Sequence, residues 1–122
     1  MLLALACNAN GPAATRPEPH VAAARVLTDS YTASRFNAWH IRAEAAGTDC
    51  SVLLLQSEII MDDSTIEAMH YGAGSYKTVR GGMQQFVREH AFRGVAYKDV
   101  SGRTWTYGNV SPSEAERLVS CH

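Results

Sequence analysis

The sequence has 122 residues, a formal net charge of −1 at pH 7, 46% hydrophobic residues and 19% charged residues. This length suits one domain with a modest core, and the composition is that of an ordinary globular chain rather than a disordered one. The near-zero charge argues against nucleic-acid binding, which normally requires a strong basic excess. A run of about 18 apolar residues is missing, so no transmembrane helix is predicted.

The N-terminus has two parts. Residues 1–7, MLLALAC, are apolar and end in a cysteine, and residues 8–19 are rich in Pro, Ala, Asn and Gly. We therefore expect residues 1–19 to form a leader and flexible tether, and residues 20–122 to form a single domain.

An apolar run that ends in small residues before a cysteine resembles the end of a bacterial lipoprotein signal peptide. The resemblance implies that Cys7 carries a lipid. It also implies an exported domain, periplasmic or anchored to the outer membrane, that meets the membrane only through this lipid. An unlipidated export signal is one alternative, and an ordinary unstructured N-terminus of a cytoplasmic protein is the other.

Three cysteines are present, Cys7, Cys50 and Cys121. If Cys7 is lipidated, Cys50 and Cys121 remain as an even pair, and we expect a disulfide between them. Closing a loop of about 70 residues stabilises a fold by roughly 4 kcal/mol on the chain-entropy model. The alternative is a pair of buried free thiols in a cytosolic protein.

The first half of the domain predicts one helix and two strands. Residues 20–37 favour a short helix, and residues 38–44 alternate apolar and polar side chains as a half-buried strand does. A turn at residues 46–49 leads into a second strand over residues 50–58. Its centre is apolar on both faces, which predicts a central place in the sheet.

Two helices are expected next. Asp62, Asp63 and Ser64 are candidate N-caps for a helix that reaches about Tyr71, with a possible capping box at residues 64–67. A second helix begins after Gly82, because apolar residues there keep helical spacing as far as residue 91.

A hairpin follows, with a type I turn and a glycine bulge at residues 99–102. A three-residue loop places Asp99 opposite Arg103. The two strands then share one aromatic face, which pairs Tyr97 with Trp105 and Val95 with Tyr107. Lys98 pairs with Thr104, and Ala96 with Thr106, on the other face.

The chain ends with a second capping box at residues 111–114, which predicts a helix that closes at Cys121. The predicted order is β-β-α-α-β-β-α. It favours an α+β fold with an antiparallel sheet of four or five strands and two or three helices on one face.

The sequence predicts no catalytic, cofactor or metal residues. Five histidines are scattered without the spacing of metal ligands, namely His20, His40, His70, His90 and His122. The neighbouring carboxylates of Asp62 and Asp63 are explained more simply by helix capping than by acid–base chemistry.

The most unusual segment is residues 69–82, MHYGAGSYKTVRGG, which contains four glycines. Open backbone, tyrosines and cations beside a helix N-terminus suit an anion, so possible ligand-binding residues are Tyr71, Tyr76, Lys77 and Arg80. A plain connector between two helices is the alternative.

These patterns favour a small exported accessory or binding domain with a protein partner or an anionic ligand. One alternative is a small hydrolase or nuclease that uses His70 as its base. Another is an inhibitor or immunity-type module that binds a protein.

Overall fold

The computed structural model describes residues 18–73 and 81–122. In chain order its elements are α1 (Glu18–Thr32), a 3-10 helix (Asn37–Trp39), β1 (Arg42–Ala46), β2 (Val52–Gln56), α2 (Asp63–Tyr71), α3 (Gly82–Glu89), β3 (Gly94–Lys98), β4 (Thr104–Gly108) and α4 (Pro112–Ala115). The α+β class is confirmed. The predicted order is wrong because it leaves out the first helix: α1, where residues 20–37 favoured a short helix, has fifteen residues and precedes the first strand. None of the described helices has the length and apolar character needed to cross a membrane.

The sheet has four strands in the order β1-β2-β3-β4. Its outer pairs, β1 with β2 and β3 with β4, are antiparallel, but β2 and β3 run parallel. The prediction of a purely antiparallel sheet is therefore wrong. Helices α2 and α3 form a crossover that carries the chain back to the end of the sheet where β2 began. The next strand, β3, therefore runs parallel to β2.

The core lies mainly on one face of the sheet. Helices α1, α2 and α3 cover that face through Leu27, Ile66 and Met83, which are at most 2% exposed. Helix α4 lies on the opposite face, where Ala115 packs against Ala46, Leu54 and Ala96. The expectation that all helices share one face is wrong for α4, because β2 and β3 are apolar on both sides and both sides need cover.

The hairpin of β3 and β4 has the predicted register. Tyr97 pairs with Trp105, Val95 with Tyr107, Ala96 with Thr106, and Lys98 with Thr104. In the turn, Gly102 has a φ of +90° and donates to the Asp99 carbonyl at 3.0 Å, while the Asp99 amide donates to the Arg103 carbonyl at 3.1 Å.

The Asp99 side chain ties this turn to the chain segment that leads into α2. One carboxylate oxygen accepts from the amides of Ser101 and Arg103, and the other accepts from the amide of Met61 at 3.0 Å. Burial alone would raise the pKa of Asp99, but these hydrogen bonds outweigh it and lower that pKa. The turn residue predicted from the sequence is also an anchor between distant segments.

The predicted final helix is too long. Ser111 caps α4, accepting from the Glu114 amide at 3.1 Å, but the helix ends at Ala115. The Glu114 carboxylate binds the Arg93 guanidinium instead of turning back to the cap. The chain then extends along β1, where Ser120 forms a bridge with Ala46.

The boundaries of other elements shift by a few residues. Strand β1 occupies Arg42–Ala46 rather than residues 38–44, because residues 37–39 form a 3-10 turn and His40 is left-handed with a φ of +51°. Helix α2 is capped by Asp62, whose carboxylate accepts from the Thr65 amide at 2.8 Å. Ser64 therefore lies inside the helix and caps nothing.

The outer edge of β1 is covered by two other segments. The Thr28 hydroxyl of α1 accepts from the Ala43 amide at 2.9 Å and donates to the Ala43 carbonyl at 3.0 Å. The Cys121 amide donates to the Ala45 carbonyl at 2.7 Å. Cys121 is joined to Cys50 by a disulfide that spans 71 residues of sequence, with a Cα–Cα distance of 6.0 Å.

The hairpin turn offers a test of its backbone geometry. A Cβ on Gly102 would meet nothing within 4 Å, so a substitution there costs only the strain of its φ of +90°. We expect Gly102→Val to lower the free energy of unfolding by about 1 kcal/mol or more, and Gly102→Asn to lower it less, since Asn tolerates positive φ better. Urea denaturation measures both variants, and equal stability of Gly102→Val and the wild type would contradict the turn assignment.

Candidate functional site

The segment singled out in the sequence has two described ends that meet. Gly72 ends α2 with a φ of +69°, and Gly82 begins α3 with a φ of +77°. A Cβ on Gly72 would lie 2.8 Å from the Gly82 nitrogen, and one on Gly82 would lie 2.3 Å from the Gly72 nitrogen. These two glycines therefore allow the two helix ends to touch, rather than a ligand to approach.

The predicted ligand residues are only partly described. Tyr71 lies on the last turn of α2 and is 52% exposed. Tyr76, Lys77 and Arg80 lie outside the described residues, so the predicted anion site on this loop stays a prediction.

The described side chains converge instead on His70, one residue before Tyr71. His70 is 5% exposed. Its ring stacks on Tyr107 of β4, with centroids 3.8 Å apart and planes at 13°, and meets Tyr71 edge-on at 4.9 Å. Its Nδ1 lies 3.1 Å from the Tyr97 hydroxyl of β3. The end of α2 thus rests on the aromatic face of the hairpin.

Beside this stack lies a cavity of about 250 Å³ between α2, α3 and the hairpin. Its wall combines the stacked rings with apolar side chains from α3 and β3 and two polar side chains. The lining residues are His70, Gln84, Val87, Arg88, Phe92, Val95, Tyr107 and Gly108. Arg88 is the only charged residue among these, and it forms no ion pair with another described residue. We call this cavity the His70 pocket.

The local sequence explains how these side chains are placed. Helix α3 buries Met83 and Phe86, and Gln84 and Arg88 follow one turn apart on a neighbouring, exposed stripe. The alternation along β4 puts Trp105 and Tyr107 on the face of the sheet that α1, α2 and α3 cover. The pocket is therefore assembled from three consecutive parts of the chain, α2, α3 and the hairpin, which fold against one another.

Burial controls the ionisation of this cluster. Desolvation lowers the pKa of His70 to about 4, so its ring is neutral at pH 7. Desolvation also raises the pKa of Tyr97 well above its usual value and raises that of Tyr107, with smaller contributions from the neighbouring Tyr71 in both cases. All three rings are uncharged at neutral pH, and Arg88 supplies the positive charge of the pocket.

The chemistry of the pocket suits binding better than catalysis. A histidine whose pKa is about 4 is a weak base at neutral pH, and its Nδ1 faces a phenol rather than an orienting carboxylate. Within residues 18–73 and 81–122, no cluster of three or more His, Cys, Asp or Glu side chains is arranged to hold a metal ion.

Structural contacts explain Asp62, Asp63, His20 and His90, for which no site role was predicted. The carboxylate of Asp62 caps α2, and that of Asp63 accepts from Arg103 and from the Trp105 indole at 2.8 Å. His20 stacks on Phe92 at 4.4 Å, and His90 meets Phe86 at 4.3 Å. Cys7 lies outside the described residues.

A larger cavity, of about 680 Å³, lies beside the disulfide and away from the aromatic cluster. Its walls come from the turn after β1 and from the last residues of the chain, including Thr48, Arg117, Leu118 and Cys121. Its polar lining residues are half-buried or exposed, namely Thr48, Glu114, Arg117 and Ser120, so we place the candidate site at the His70 pocket.

The sequence did not identify Arg88, Tyr97 and Tyr107 as site residues. The available signal was the aromatic face of the hairpin, which had to be covered by another element. Sequence spacing could not reveal that the covering element was the end of α2, because the contact joins residues 27 and 37 positions apart.

Comparisons of the chain with protein-family models, with curated proteins and with solved structures gave no match. The functional argument therefore depends on the geometry of the pocket.

The low pKa of His70 predicts a pH dependence of stability. The unfolded chain takes up a proton on this ring near pH 6.5, and the folded protein does so only near pH 4, so folding stability should fall as pH drops across that interval. His70→Phe keeps a ring against Tyr107 but cannot be protonated, and its melting temperature should fall less than that of the wild type between pH 7 and about 5. Parallel slopes for the two proteins, or an NMR titration of His70 near pH 6.5, would contradict this assignment.

Proposed function

We propose that this protein is a small exported binding domain, and that the His70 pocket receives a compact anionic group carried on a flat or short apolar body. One observation supports this proposal above the others. Arg88, which forms no ion pair with another described residue, stands at a cavity whose other described walls are neutral rings, apolar side chains and the amide of Gln84.

The size of the cavity limits what it can hold. A volume of about 250 Å³ corresponds to roughly eight liquid water molecules at about 30 Å³ each. Pockets for drug-sized ligands are usually about 300–1,000 Å³. We therefore expect a molecule or side group about the size of benzoate rather than a cofactor or an extended lipid.

The polarity of the walls specifies the ligand further. Val87, Phe92 and Val95 offer apolar contact area, whereas Gln84 can donate to an oxygen and Arg88 can bind a carboxylate or phosphate with two parallel hydrogen bonds. The exposed Tyr71 adds flat contact area next to the stack. A ligand that places an anionic group at Arg88 and an apolar ring against the apolar side chains contacts both the polar and the apolar part of the wall.

The alternative of a hydrolase or nuclease with His70 as base is less well supported. Its Nδ1 is engaged by Tyr97, and within the described residues no serine, cysteine or carboxylate lies in hydrogen-bonding contact with the ring. Lowering a histidine pKa to about 4 also removes the match to neutral pH that a general base requires.

Export is proposed from the cysteines. The disulfide between Cys50 and Cys121 is of a kind that persists in oxidising compartments and is rare in the cytosol. Together with the lipobox-like residues 1–7, it supports a periplasmic or membrane-tethered location, with a lipid on Cys7 as the proposed anchor.

The pocket proposal predicts binding of small aromatic anions. We expect benzoate and phenyl phosphate, titrated into isotope-labelled protein, to shift the amide signals of Gln84, Tyr107 and Gly108, and acetate and inorganic phosphate to shift them less. Arg88→Ala should weaken this binding at least fivefold, or about 1 kcal/mol, because the ion pair is lost. Added salt should weaken binding to the wild type.

Arg117→Ala is the matched control, since it removes an exposed arginine that lines a different cavity. It should leave the titration unchanged. Absence of shifts around Gly108, or equal binding by Arg88→Ala and the wild type, would exclude the pocket as an anion site.

The export proposal predicts an oxidised cysteine pair in the native protein. Alkylation before and after reduction, followed by intact mass measurement, should show Cys50 and Cys121 blocked until a reductant is added. Reduction should lower stability by up to about 4 kcal/mol, the chain-entropy value for a loop of this length. Two thiols that react freely in unreduced native protein would contradict oxidative export.

A further inference from the structure

The two outer edges of the sheet differ sharply in their cover. At β1, the backbone groups that point away from the sheet are bonded by Thr28 and by residues 119–121. The described residues include no equivalent segment beside β4.

The direction of the β4 backbone groups follows from the hairpin register. The Arg103 carbonyl accepts from the Asp99 amide, and the Asn109 amide donates to the Arg93 carbonyl. The β4 residues whose backbone groups face β3 are therefore those with odd numbers. The amides and carbonyls of Thr104 and Thr106 therefore point outward. Neither residue forms an outward hydrogen bond with another described residue.

The composition of β4 makes this edge unusual. Its sequence, TWTYG, consists of strong strand formers before a glycine and contains no charge and no proline. Natural proteins commonly protect outer strands with charges, prolines or bulges, because bare edges pair with other chains. Nearby Arg103 already binds Asp63, so its charge is compensated.

We propose that β4 pairs with β4 of a second copy of this chain, antiparallel and about a two-fold axis at Thr106. A two-fold interface joins the same surface from both copies, so the surface must be complementary to itself. This register places Thr106 opposite Thr106 of the second copy, and Trp105 opposite Tyr107 of the second copy. Threonine pairs and aromatic pairs are both favourable cross-strand neighbours.

The electrostatics of the edge favour a second copy as the occupant. The strand has no charged side chain between Thr104 and Gly108, so two copies bring no like charges together along the pairing. In the same register Arg103 lies opposite Asn109 of the second copy, which is neutral. The four-stranded sheet becomes one continuous sheet of twice that width, and the bare edge disappears.

This pairing goes beyond the proposed ligand and does not depend on it. It does bring the two His70 pockets toward the same axis, because Tyr107 and Gly108 belong both to the pocket wall and to the pairing strand.

Sedimentation velocity over a concentration series tests the proposal on the full chain with its disulfide intact. We expect a dimer of about twice the 13.3 kDa chain mass, with the Thr104 and Thr106 amides protected from hydrogen exchange. Thr106→Lys places two like charges at the axis and should weaken dimerisation at least tenfold. Thr48→Lys adds the same charge in an exposed turn and should leave it unchanged.

Thr106→Pro provides a second test, since it removes the central outward amide and proline is tolerated on an edge strand. Circular dichroism confirms that each variant is folded before it is compared. A wild type that stays monomeric at all concentrations with fast exchange of both amides would overturn the proposal. A dimer that persists unchanged in folded Thr106→Lys would overturn it too.

Discussion

The parallel pairing of β2 with β3 is the contact on which the rest of the structure depends. Both strands are buried on both faces, and Leu53, Leu55 and Val95 are at most 2% exposed. A parallel pair cannot close through a short turn, so the chain needs the α2–α3 crossover to form it. That crossover brings the end of α2 over the hairpin, where His70 meets Tyr107. The pocket is thus a geometric consequence of how the central strands are joined.

The second face of the sheet explains the disulfide. Among the described residues, the four-residue helix α4 and the extended segment after it cover Leu54 and Ala96, and so short a helix is marginal by itself. The disulfide fixes the end of that segment beside the turn after β1. The same segment also pairs with part of the outer edge of β1. One covalent bond therefore holds in place the residues that cover the second face of the sheet and the edge of β1. Its loss would expose both, which gives a physical reason for keeping this cysteine pair.

Local chemistry in the sequence was enough to predict the hairpin and failed for contacts between distant segments. The register of β3 and β4 was predictable because Asp99 and Gly102 specify the turn and alternation does the rest. The buried side of α1 and the central place of β2 followed from apolar patterns. The parallel pairing was not predictable, since no local signal tells whether a strand returns beside its predecessor in the same or the opposite direction. The final helix was overestimated: Ser111 does cap its start, but Glu114 binds Arg93 of another element instead of completing the capping box, and the helix ends at Ala115.

The predicted site and the described site differ for the same reason: local sequence patterns do not reveal contacts between separate segments. Tyrosines, glycines and cations in residues 69–82 suggested a site by composition, yet the described glycines allow two helix ends to touch. The side chains that enclose a cavity come instead from α2, α3 and the hairpin, and each is unremarkable in its own sequence context. Their joint property is electrostatic: burial keeps His70, Tyr97 and Tyr107 neutral, so Arg88 is the one charged side chain among the described residues of the pocket wall. This arrangement of a single described arginine beside neutral rings is the physical basis of the proposed preference for anions.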